Sequence, residues 1–148
     1  MGTKTTSSKK PVHSTGPGNA SVFHDTVAVA TTDIDAADVI QPVVVPAGTY
    51  VHEVRVKTTD MDTNATPTLA AKIGFTPVDG SAAPAGADTA VSAAVAFGQV
   101  AEVKSFDVIP PYLVTKDSYL NVVITTGAAT AAAGTVSAVV EGDAAGAA

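Results

Sequence analysis

Two histidines in this chain stand beside acids, His24-Asp25 and His52-Glu53, and these are the residue types from which a general base and its orienting carboxylate are built. Their spacing works against that chemistry. Both pairs lie in stretches whose side chains alternate as in a β-strand, and neighbours on a strand point to opposite faces, so neither histidine can be oriented by the acid beside it. Packed or surface histidines are the plainer reading. His52 is the better candidate of the two, because the alternation sets it on an apolar face with Tyr50, Val54, Val56 and Thr58.

The run Asp60-Met61-Asp62-Thr63-Asn64 places oxygen-bearing side chains at alternate positions, as the opening of a calcium loop does. It departs from that motif at Ala65, where the loop needs glycine, and no glutamate follows at the twelfth position. A turn closed by side-chain to backbone hydrogen bonds accounts for the same letters. Asp33 and Asp35 offer still less. With no G-x-S-x-G elbow, P-loop, G-x-G-x-x-G or H-E-x-x-H and no cysteine, the motifs that would carry an enzyme, a thiolate metal site or a bound cofactor are missing. The sequence therefore predicts no catalysis, no metal and no cofactor.

The elements that hold these residues read as strands. Val43 to Thr59 is a strand, a tight turn at Pro46-Ala47-Gly48, and a second strand, together a hairpin, with Tyr50, His52, Val54, Val56 and Thr58 on one face and Val51, Glu53, Arg55 and Lys57 on the other. Ser21 to Thr31 sets Phe23, Val27 and Val29 against His24, Thr26 and Ala28, and Asp38 to Val45 is a strand whose Pro42 suits an edge or a bulge. Thr68 to Phe75 faces Leu69, Ala71, Ile73 and Phe75 inward, with Gly74 marking a bulge or a close approach. Residues 88 to 98 carry an Asp at a cap position, Ala-rich filling and a closing Gly, which favours a helical turn or two, although Val91, Val95 and Phe97 would also serve a strand. Val100 to Val108 is a strand that Pro110-Pro111 ends; Ser118 to Thr126 and Thr135 to Glu141 alternate cleanly. Seven or eight such strands separated by turn residues predict an all-β fold, one antiparallel β-sandwich, jelly-roll-like, with at most one short helix.

Length and composition agree with one domain. The 148 residues are 46% hydrophobic, mostly Ala and Val, with 5% aromatic and no Trp, so the core is built of small and β-branched pieces. A formal charge of −6 argues against a nucleic-acid groove. No run reaches the ~18 apolar residues of a membrane span, and the lysines of the N-terminus precede no apolar h-region, so the chain reads as soluble, made in the cytoplasm and free of membrane contact. Residues 1–20 hold Lys4, Lys9 and Lys10, no acid and little to bury, which predicts a flexible basic arm on an acidic body spanning 21–143, with a frayed tail at 144–148.

The succession PAGTYVHEVRVKTTDMDTNATPTLAAKIGF, an Ala-rich insert, and PPYLVTKDSYLNVVITTGAATAAAGTVSAVVE resembles the capsid decoration, or cement, proteins of tailed bacteriophages, over Asp38 to Glu141. What the resemblance implies is a jelly-roll-like sandwich on the outer surface of the virion capsid, where it binds the major capsid protein, forms a dimer or trimer of itself and strengthens contacts between capsomers. The first twenty residues lie outside the resemblance; the charge of that arm makes Lys4, Lys9 and Lys10 the candidate partner-binding residues. A receptor- or carbohydrate-binding module of a phage tail or fibre would share the sandwich, but with three Tyr, four Phe and no Trp the chain has few aromatics to present to a sugar.

Overall fold

A computed structural model describes residues 2–5 and 20–145 as ten strands and two short 3₁₀ turns. The strands are β1 (Thr3–Thr5), β2 (Ala20–Val29), β3 (Val39–Gln41), β4 (Val44–Val45), β5 (Thr49–Thr58), β6 (Ala70–Pro77), β7 (Ser92–Ala96), β8 (Glu102–Val114), β9 (Ser118–Thr126) and β10 (Gly134–Ala144). Two sheets result. One runs β1-β3-β9-β6-β7, with β4 also on β9; the other runs β2-β10-β5-β8.

The pairing is that of a long antiparallel hairpin folded over on itself: β2 with β10, β3 and β4 with β9, β5 with β8, and β6 with β7. Successive arms cross between the sheets, and further ladders from β10 to β5 and from β9 to β6 complete them. That order is a jelly roll, so the predicted all-β sandwich is the fold. The core between the sheets holds buried residues of β2 to β6 and β8 to β10 and of the loops between them, among them Val54, Leu69, Ile73, Phe75, Leu120, Val122 and Val140. β2, β6, β9 and β10 expose and bury the side chains that their alternation assigned.

Five expectations are corrected by the structure. The segment Val43 to Thr59 is no hairpin: β4 pairs with β9 and β5 with β10 and β8, so the turn, with Gly48 at φ 79°, is a corner that carries the chain from one sheet to the other. His52 does not share the apolar face. Both ladders of β5 slip between Val51 and Glu53, so His52 is an extra residue in a β-bulge, the phase reverses, Thr49 and Val51 point inward, and Tyr50 and His52 point to solvent. β8 continues through Pro110-Pro111, which lie in the same irregularity on an edge strand, where no ladder needs their missing N–H groups. Residues 88–98 are one 3₁₀ turn at Ala87–Thr89 followed by strand β7, because the open edge of β6 supplies hydrogen-bond partners that outweigh the helical preference of alanine. Finally, Asp143 and Ala144 belong to β10, and the Ala145 N–H donates to the Gly48 carbonyl at 2.6 Å, so the tail is tied down to that point.

Pro42 sits between β3 and β4, where one extra residue opposes β9, as its type suggested. Gly74 marks a close approach. A Cβ there would lie 2.1 Å from the Ala87 carbonyl oxygen, because the Ala87–Thr89 turn packs directly on the β6 backbone. Lys72 fastens the same turn through a 2.7 Å contact with Asp88, whose carboxyl that hydrogen bond holds below its ordinary range.

Candidate functional site

The acids that looked like a calcium loop form a structural clasp. Asp62 is 1% exposed, and its Oδ2 accepts the N–H groups of Thr68 at 2.7 Å, Leu69 at 3.1 Å and Ala129 at 3.0 Å, while Oδ1 accepts those of Thr130 at 2.9 Å and Asn64 at 3.4 Å. Burial by itself would raise the carboxyl pKa, but the backbone donors of Thr130, Ala129, Thr68 and Leu69 outweigh it and hold the group far below the usual carboxylate range. One side chain thereby joins the loop after β5 to the loop before β10. Among the described residues, no three of His, Asp and Glu stand close enough to share a metal ion.

The histidine pairs separate as strand geometry requires. His24 faces solvent while Asp25 turns toward the interior side of β2. His52 meets a partner that its sequence neighbours did not suggest, Asp143 of β10, at 2.7 Å, and Glu53 turns to Arg55 at 3.5 Å. Both ends of the His52–Asp143 pair are over two-fifths exposed, which makes it a polar contact at the surface, open to water.

Of the candidate partner-binding residues, Lys4 lies in β1 and Lys9 and Lys10 lie outside the described residues. β1 adds as a parallel strand on the edge of β3, with Thr3 opposite Val39, Lys4 opposite Ile40 and Thr5 opposite Gln41. Three polar contacts seat it: Asp38 Oδ1 accepts the Gly2 N–H at 2.6 Å, Gln41 Oε1 accepts the Thr5 hydroxyl at 2.9 Å, and Lys4 Nζ is 3.6 Å from Asp33 Oδ2. Asp38 is buried, and its other oxygen accepts the N–H of Asp35. Residues 2–5 of the expected arm are thus ordered on the body by hydrogen bonds, without any apolar anchor.

At the opposite end of the sandwich, a cleft of about 450 Å³ opens between the Ala47 corner, Val78-Asp79 and Thr115-Lys116-Asp117. Its charges are already engaged. Lys116 reaches Ser81 at 2.9 Å and Asp79 at 3.3 Å, Asp117 accepts the Ala47 N–H at 2.9 Å, and the hydroxyl and N–H of Ser81, with Lys116 beside them, hold the Asp79 carboxyl down at about 2.

The surface that sequence reasoning missed is the outer face of the β2-β10-β5-β8 sheet. Val22, Tyr50, Val103 and Leu113 point outward from it, with Ile109 exposed in the β8 irregularity and Val100 exposed just before β8; these are the exposed large apolar side chains of the described residues. A depression of about 290 Å³ lies on the same face, lined by Arg55, Lys57, Val103, Ser137 and Val139. The signal was present in the outward positions of the alternating strands, where valines stand among the charges.

No protein-family model matches the chain, and no curated protein matches it. Solved structures do. A chain of the cyanophage Pam1 capsid asymmetric unit superposes with a TM-score of 0.71 at 26% identity, over 95% of this chain and 97% of that one. A chain of the capsid of Ralstonia phage GP4 gives 0.73 at 23% identity, over 93% and 91%. A chain of the acid-stable capsid of the Helicobacter pylori bacteriophage KHP30 gives 0.55 at 14% identity, over 85% and 89%; the last two share the fold.

Proposed function

We propose that this chain is a structural, non-catalytic virion protein of a bacteriophage, and more narrowly a decoration protein that binds the outside of the capsid and reinforces contacts between capsomers. The observation that carries the reading is the likeness to a chain of the cyanophage Pam1 capsid, which extends over 95% of this chain and 97% of that one. The site geometry is of the same kind. The buried acid is saturated with backbone donors, His24 faces solvent while His52 is paired with Asp143 at the surface, and the outer sheet face offers apolar and charged side chains to a protein partner.

In this reading the partners are the major capsid protein and further copies of the chain. Of the candidate lysines, Lys4 is held on the body in β1 beside Asp33, so Lys9 and Lys10 are the ones left to reach the neighbouring acidic surfaces, with β1 as the root of the arm. Co-sedimentation of the purified chain with capsid shells that lack it, run beside a glycan-binding panel, tests the proposal. Saturable binding to shells with no glycan retained is the expected result; glycan binding without shell binding would move the chain to the receptor-binding class.

A further inference from the structure

The outer face of the β2-β10-β5-β8 sheet is ordered by charge along its strands. Directly opposed residues form four rungs across the sheet. The first is Thr26, Ser137, Lys57 and Val103; the second is His24, Val139, Arg55 and Ser105. The third is Val22, Glu141, Glu53 and Asp107, and the fourth is Ala20, Asp143, Tyr50 and Leu113. Within these four rungs, every cation other than histidine is in the first two, and every acid is in the last two. Arg55 is already satisfied in charge by Glu141 and Glu53, whereas Lys57 is exposed and makes no ion pair among the described residues. The apolar residues are polarised too, with Val103 at one end and Tyr50 and Leu113 at the other.

From this we infer that the face binds a second copy of itself, through a twofold axis lying between the two faces and perpendicular to their strands. That operation reverses strand direction while keeping β8 over β8, so the first rung of one copy lies on the fourth rung of the other. Lys57 then faces the ring of the partner copy's Tyr50 and the exposed carboxylate of the partner copy's Asp143, whose Oδ2 already holds His52 of its own chain at 2.7 Å, so that its other oxygen is the one open to Lys57. Val103 faces Leu113, and the exposed Tyr50 meets the depression lined by Arg55, Lys57, Val103, Ser137 and Val139, an aromatic entering a hollow as at interface hot spots. The parallel alternative would set Lys57 near Lys57 and Asp143 near Asp143, so charge selects the antiparallel one. Four strands ~4.8 Å apart and four rungs ~6.8 Å apart give a plate of about 500 Å² per copy, smaller than a standard interface, and the dimer is accordingly weak in dilute solution and favoured where copies are concentrated.

The test uses the free full-length chain, so it succeeds or fails independently of capsid binding. Sedimentation velocity over a concentration series reads the dimer constant of the wild type, Lys57→Glu, Asp143→Lys and the double variant, each checked for an unchanged unfolding midpoint. Each single reversal is expected to weaken association about tenfold or more. The double variant is expected to recover it, because the two positions lie ~20 Å apart within one chain and meet only across the axis. If a reversal fails to fold, Tyr50→Ser reads the same contact and is expected to weaken the dimer. A wild type that stays monomeric at millimolar concentration overturns the inference, as do single variants that associate like the wild type or a folded double variant that does not recover. Loss of shell attachment on Lys57→Glu in a monomeric wild type overturns it as well, and gives the face to the capsid instead.

Discussion

The ring of Phe75, on β6 of one sheet, lies stacked on the ring of Tyr112, on β8 of the other, with centroids 5.2 Å apart and planes within 3° of parallel. It is an aromatic pair that joins the two layers of the sandwich, and Tyr112 reaches it because β8 resumes its pairing with β5 immediately beyond Pro110-Pro111. Partial burial at this contact raises the phenol pKa of Tyr112. Replacing Tyr112 with Ala removes the stack and the ring's packing, and a loss of about 2–3 kcal/mol is expected in chemical denaturation. Tyr112→Phe, which keeps the ring, is expected to stay within about 1 kcal/mol of the wild type.

Val54 and Lys57 sit on opposite faces of β5, one fully buried and the other exposed. Val54→Asp forces an unpaired carboxylate into the core and is expected to cost about 4 kcal/mol, whereas Lys57→Asp is expected to change monomer stability by about 0.5 kcal/mol or less. Denaturant midpoints of the two variants at low protein concentration give the comparison.

The Asp62 clasp predicts both a mutational and a pH effect. Asp62→Ala strands several backbone N–H groups and is expected to cost about 3 kcal/mol, with Asp62→Asn in between. The folded-state pKa of Asp62 is depressed, so its contribution to stability is fully present above the unfolded carboxylate pKa and is lost as pH falls toward the native value. Thermal midpoints measured from about pH 6 down to about pH 2 should therefore fall more steeply for the wild type than for Asp62→Asn.

Gly74 is expected to tolerate no side chain, because a Cβ would enter the backbone of Ala87 and Asp88. Gly74→Val should lower stability by about 2 kcal/mol or more by displacing the Ala87–Thr89 turn. Adding Lys72→Ala to that variant should cost little further, once the Lys72–Asp88 contact has been lost with the turn.

These residues also show where the fold was legible. Strands such as β6 and β9 were readable because one buried face writes itself into the letters at period two, and Gly74 was readable because a glycine inside a strand marks a bulge or a backbone packed hard against it. The bulge at His52 was not, since an extra residue in a strand leaves no chemical mark and yet reverses every side chain before it. The corner at Gly48 has the letters of a hairpin turn, and only the partners of β4 and β5, far along the chain, decide between them. β1 is three polar residues held by Asp38, Gln41 and Asp33, a strand with no apolar pattern to announce it. The outer sheet face escaped notice because its order lies across strands, in rungs that exist only after the register is set.

Decorated shells resist disruption, on this account, because each copy ties capsomers together, and the most direct measurement is the temperature at which capsid shells open and release DNA. Shells lacking the chain, shells with the wild type added back, and shells with a chain deleted for residues 1–20 should be compared in one heating series. The account predicts that wild-type addition raises the opening temperature by several degrees and that the deletion recovers only part of the rise, although removing β1 and its contacts costs the isolated domain about 1 kcal/mol. Shells that bind the wild-type chain to saturation and open at the same temperature as bare shells would contradict it.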